Sequence, residues 1–177
     1  SVSLTFKNDG DAILIIGETA GWLGQSLYLR DVCGREEGAP PPVDLAAEKR
    51  NGDLVRDLIA GGLVNAVHDL SDGGLAVALA EMAMASGRGA RLEAAPAGIP
   101  PHAFWFGEDQ ARYVVTAPEG VVKDIMARAG KAGVPARRLG AVAGDALILP
   151  GERPILVAGL SERFEGWLPG YMAGNAA

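Results

Sequence analysis

The chain is poor in the residues that cross-link proteins or hold metals. Among its 177 residues there is one cysteine, Cys33, which excludes an internal disulfide and a multi-cysteine zinc site and fits a reducing compartment. The two histidines, His68 and His102, stand far apart in sequence, so no ligand cluster for zinc is spelled out. A surplus of positive charge is missing as well. Sixteen Lys and Arg face 22 Asp and Glu, and the net charge of −6 disfavours a nucleic acid or an anionic membrane as partner of the whole chain. Apolar runs are short and broken by glycine or charge, which leaves no membrane span and no secretory signal. There is no low-complexity tract and no repeat of about 20 to 50 residues. The opening "SVSLTFKNDGDAILIIGE" lacks an initiator methionine and runs almost directly into a strand, as expected of a piece cut from something longer.

What is present is the balance of a soluble globular domain, 49% apolar and 21% charged, in a chain of a size that suits one domain. Ala12 to Ile16 (AILII) reads as a buried strand. A glycine-rich loop then leads to a short helix around Gln25 to Asp31. Pro40 to Pro42 mark a linker, and Asp44 stands where a helix would take its N-cap. Leu45 to Ala60 carries an apolar stripe at Leu54, Val55, Leu58 and Ile59, with a kink expected at Asn51-Gly52 and a cap at Gly61-Gly62. Leu63 to Val67 reads as a strand buried on both faces and therefore central. A helix from Leu75 to Ser86 follows, then strands in "GRGARLEA" and at Tyr113 to Thr116, a helix from Val121 to Lys131, and strands in "RRLGAVAG", "ALILP" and "RPILVAG". The tail reads as an amphipathic helix broken at Pro169 with a loose end. Alternating strands and helices predict an α/β fold, a layered mixed sheet with helices.

Two polar segments invite a chemical reading. The first is the elbow "HDLSDGG", His68 to Gly74, which joins a strand to a helix N-terminus. Free N–H groups and the helix dipole favour an anion at such a place, and glycines let a ligand approach the backbone. The amides of Asp72 to Leu75 are expected to point into a cleft. The bland alternative is that Ser71 and Asp72 simply cap the helix. Asp72 is expected to do so, because its carboxylate would otherwise repel a phosphate unless a magnesium ion lay between them. Asp69 and Asp72 lack the spacing of paired phosphatase aspartates, and His68 lies too close to Ser71 for a nucleophilic triad. The second segment is "FGEDQAR", Phe106 to Arg112, either a solvated hairpin or a polar rim facing a cleft.

In combination, "GETAGWLGQSLYL", "HDLSDGGLAVALAEM", "FGEDQARYVV" and "GWLPGYM", in that order, resemble the C-terminal part of the phosphoribosylformylglycinamidine synthase large-subunit family of the bacterial multi-subunit type. The likeness covers almost the whole chain. It implies the fold of the C-terminal domain of aminoimidazole ribonucleotide synthetase, with residues 1–177 forming a single α/β domain, the last of four. It also implies a cytoplasmic, ATP- and magnesium-using ligase of purine biosynthesis that converts formylglycinamide ribonucleotide to the amidine with ammonia from glutamine. The implied partners are the N-terminal domains of the same chain, a glutaminase subunit and a small accessory subunit. The family's proton-accepting histidine and its ATP and magnesium ligands belong to other domains, so no catalytic residue, metal ligand or cofactor is assigned here. The candidate ligand- or phosphate-binding residues are Ser71, Asp72, Gly73, Gly74, His68, Glu108 and Gln110. Glu108-Asp109-Gln110 is the counterpart of a substrate-contacting Glu-Ser-Gln in the family's first half, with Asp in place of Ser. The alternatives are a purely structural interaction domain, or another ATP-using member of the same superfamily.

Overall fold

The computed structural model describes residues 2–174. Its framework is a mixed sheet with helices on both faces. In chain order the elements are β1 (Ala12–Ile16), α1 (Leu45–Ala60), β2 (Ala66–Asp69), α2 (Gly74–Ser86), β3 (Ala90–Leu92), α3 (Pro101–Phe106), β4 (Tyr113–Ala117), α4 (Val122–Ala132), β5 (Ala136–Val142), β6 (Ala146–Ile148), β7 (Ile155–Leu156) and α5 (Val157–Met172). A single π-turn at Tyr28–Val32 stands close to where a short helix was expected. The sheet order is β2-β4-β1-β5-β3-β6-β7, and within it only β3 and β6 pair in parallel.

The unbroken apolar run of β1 is explained by its place. Both of its neighbours are strands and all five residues are buried. Strand pleating sends Ile13 and Ile15 to one face, where they meet Leu75, Leu79 and Met82 of α2 and Phe104 and Trp105 of α3. Ala12, Leu14 and Ile16 go to the other face, against Leu54, Val55 and Leu58 of α1 and Ile125 and Ala129 of α4. Each Ile or Leu so buried contributes about 1.5–3 kcal/mol relative to an exposed one.

Helix α1 keeps the expected bounds. The Asp44 side chain accepts from the amides of Ala46 and Ala47 at 2.9 and 3.1 Å. Replacing Asp44 with alanine should cost about 1 kcal/mol. Thermal unfolding followed by circular dichroism should then show a midpoint about 2–4 °C lower. No break occurs at Asn51-Gly52. Asn51 is buried and donates to the Ala111 carbonyl at 2.8 Å, a tertiary bond that offsets its poor helix propensity.

Three expectations are corrected. The strand expected at Leu63 to Val67 is β2, Ala66–Asp69, and it is an edge strand. Leu63 is spent on capping α1, its amide donating to the Leu58 carbonyl, so pairing starts later. The strand in "RPILVAG" shrinks to two residues, because Val157 already turns into the core as the first residue of α5. Pro169 removes one donor without ending that helix, which continues to Met172. The loose end expected beyond it reaches residues 175–177, outside the described range. Helix α3 was not foreseen. Its six residues follow Pro100 and are too few to show a period.

Candidate functional site

The elbow leaves β2 through Leu70, whose amide donates to the Arg112 carbonyl at 3.0 Å. Gly73 and Gly74 follow with φ of +77° and +65°, the left-handed region that glycine enters without strain. Gly74 also sits against another backbone, since a Cβ there would lie 2.3 Å from the Gly107 carbonyl oxygen. Helix α2 therefore starts on a glycine. The expected cap by Ser71 or Asp72 is not formed: no side chain caps α2, and both residues are exposed.

The donors of the elbow are met from the opposite segment. Glu108 Oε1 accepts from the amide of Gly73 at 2.8 Å and from that of Leu27 at 2.9 Å. The amide of Gly74 turns back to the Ser71 carbonyl. Two of the amides expected to face a cleft are thus spent inside the chain. Next to Glu108, the Asp109 carboxylate is held by three successive amides, Ala20, Gly21 and Trp22, at 3.0–3.3 Å. Such a run of N–H groups forms an anion-binding nest, and here the anion is the protein's own carboxylate. Beneath it Arg112 is 1% exposed. Its guanidinium donates to the carbonyls of Gly107 (2.6 Å) and Asp109 (2.9 Å) and to the Thr19 hydroxyl (3.3 Å), and lies 3.7 Å from Asp109 Oδ2. Burial pushes the pKa of Arg112 down, and the charges of Asp109 and Glu108 pull against that.

Outside this clasp is a cleft of about 410 Å³ lined by Ser71, Asp72, Glu108 and Gln110, with Glu48 and Asp69 adding two more carboxylates. Partial burial raises the Tyr113 phenol, and Glu48 and Asp69 raise it further. The field there is negative and opposes a bare phosphate. A larger groove of about 610 Å³ lies between α1 and α4, away from the elbow. Lys49, Arg50, Arg128 and Lys131 line it together with Asp53 and Asp57.

The structure brings Ser71, Asp72, Glu108 and Gln110 to one cleft, and Gly73 is tied to that cleft by its amide's bond to Glu108, while Gly74 does not line it. It does not bring His68 there. That imidazole bonds Glu81 of α2 at 2.7 Å and lies 3.5 Å from Asp69. His102 stacks on Tyr28 instead. Among the described residues no group of three or more His, Cys, Asp or Glu side chains is placed to hold a metal ion. With two of the elbow amides spent inside the chain and carboxylates lining the cleft beside them, the residues present do not fit a magnesium nucleotide. Sequence reasoning missed the roles of Asp109 and Arg112. Their one signal was a charged run directly before an apolar strand.

Comparison with known proteins places this architecture. Residues 8–150 match the family model described as AIR synthase related protein, C-terminal domain. The chain belongs to that family. This AIR synthase C-terminal domain is 67% identical over all 177 residues to a phosphoribosylformylglycinamidine synthase subunit PurL of Bradyrhizobium sp. (strain ORS 278), covering 24% of that protein. It is 68% identical over 174 residues to the PurL of Methylocella silvestris, covering 98% of this chain and 23% of that one. The domain thus spans about a quarter of the length of these relatives. Among solved structures it resembles Thermotoga maritima PurL complexed with FGAR, with a TM-score of 0.74, 20% identity, and coverage of 90% of this chain and 29% of that one. The same protein complexed with ATP gives a TM-score of 0.71 at 20% identity and covers 90% and 27%. No helix among the described residues is long and apolar enough to cross a membrane.

Proposed function

We propose that this chain works as one domain of a phosphoribosylformylglycinamidine synthase subunit, an ATP-dependent carbon–nitrogen ligase of purine biosynthesis. The observation that carries this is the 67% identity to PurL along its entire length. In that reaction ATP phosphorylates the formamide oxygen of formylglycinamide ribonucleotide, and ammonia from glutamine displaces phosphate to leave the amidine. The chemistry, with its nucleotide and magnesium, falls to other domains of the subunit. This domain supplies a rigid wall to the assembly. A glutaminase and a small accessory subunit in the cytoplasm complete the reading, supported by the fold shared with PurL in the PurLQS structure from Thermotoga maritima (TM-score 0.69).

The test compares this chain with the polypeptide of its full reading frame. Supplied with ATP, magnesium, ammonia and formylglycinamide ribonucleotide, the long polypeptide should form the amidine and this chain alone should form none. Amidine from this chain alone would overturn the assignment of chemistry elsewhere, and none from the long polypeptide would overturn the ligase reading. A second reading, a purely structural interaction domain, is favoured by the way Glu108 fills the amides of Leu27 and Gly73. Calorimetric titration of this chain with ATP and with sulfate tests whether it binds an anion itself. Heat from neither is expected of a structural domain, and heat from either one would mean an auxiliary anion site.

A further inference from the structure

Helix α5 begins in the core and ends outside it. Val157 is 3% exposed, and Leu160 packs against the same cluster. Beyond Leu160 the apolar positions continue at helical spacing through Phe164, Trp167, Leu168, Tyr171 and Met172, that is i, i+3, i+4, i+7 and i+8. All five are between 55% and 79% exposed. The rings of Trp167 and Tyr171 stack with their centroids 5.4 Å apart. Isolated exposed apolar side chains are ordinary, but a contiguous stripe of large ones marks a contact surface.

The size of the stripe decides what covers it. Three aromatic and two aliphatic side chains at these exposures offer roughly 600 Å². Two copies laid face to face would bury about 1,200 Å², the lower edge of a specific interface between free molecules. A segment tethered in the same polypeptide needs no such area, because its effective concentration is already in the millimolar range. About three quarters of the length of the relatives lies outside the region matched here. We infer that the Phe164–Met172 stripe of α5 is the docking face for another part of the same longer polypeptide, one that presents an uncharged aliphatic or aromatic groove. This rests on the reading of the chain as one domain of a longer synthase subunit.

Hydrogen exchange by mass spectrometry on the long polypeptide, free of other subunits, tests the inference. Residues 163–172 should exchange about tenfold more slowly in the parent than in a Trp167→Glu/Tyr171→Glu variant. That protection should not change between about 1 and 50 µM protein, as intramolecular contact requires. Peptides from β1 and β4 report whether the variant remains folded. If they lose protection, Met172→Glu, at the far end of the stripe, replaces the double variant. Equal, fast exchange in parent and variant would overturn the inference. So would protection that grows with concentration, which means a second copy, or protection that appears only on adding the glutaminase subunit. Amidine formation is measured on the same sample. Its absence counts against the ligase reading and leaves the exchange result to stand by itself.

Discussion

Replacing Arg112 with methionine should lower the thermal unfolding midpoint by roughly 6–12 °C, the equivalent of about 3 kcal/mol in a chain of this size. Methionine has a similar volume, so the loss is electrostatic rather than a cavity. The carbonyls of Gly107 and Asp109 and the Thr19 hydroxyl lose their donor, and Asp109 loses its cation. Breaking a buried ion pair from one side costs about 3–5 kcal/mol. The lower end applies because Asp109 keeps the amides of Ala20, Gly21 and Trp22. Adding Asp109→Asn to the methionine variant should then cost less than it does in the parent, since the charge it removes no longer has a partner. Full additivity in that cycle would show that the two side chains do not act together.

Gly74→Val should be the most damaging single change at the elbow, about 4 kcal/mol. A β-branched residue at φ +65° carries strain of about 1–3 kcal/mol. Its Cβ would also lie 2.3 Å from the Gly107 carbonyl oxygen, so one of two backbones must move, at about 1–3 kcal/mol more. Gly62→Ala is the control. It has the same φ of +65° with nothing within 4 Å, so it reads backbone strain alone at about 1 kcal/mol. Denaturant unfolding of both variants measures the difference. Equal losses would mean that the close approach of Gly74 to Gly107 carries no weight.

The sequence revealed elements that declare themselves locally. AILII reads as a buried strand, and Asp44 and Gly61 bracket α1 with their own capping chemistry. The layered mixed sheet followed from the alternation of such elements, and its two covered faces agree with it. The position of β2 at the edge was hidden, because its one strand partner, β4, begins more than forty residues later. Half of the elbow was also readable. Gly73 and Gly74 take the positive φ that glycine allows, yet their neighbours do not cap the helix. The clasp was out of reach for a simpler reason. Asp109 is held by amides 87 to 89 residues away, and a backbone N–H is spelled by no letter of the sequence.

The central place of β1 has a kinetic consequence. Its first residue, Ala12, pairs with Ala117 on one side and Ala141 on the other, more than a hundred residues further along the chain. Pairings of such long range are slow to form. At a synthesis rate of about 5–20 residues per second, β1 waits roughly 5–20 s without either neighbour. During that interval AILII is an uncharged β-forming stretch free of proline and glycine, the kind that self-associates when left exposed. Chains that stall before β5 emerges should accordingly be found in aggregates or on chaperones rather than free.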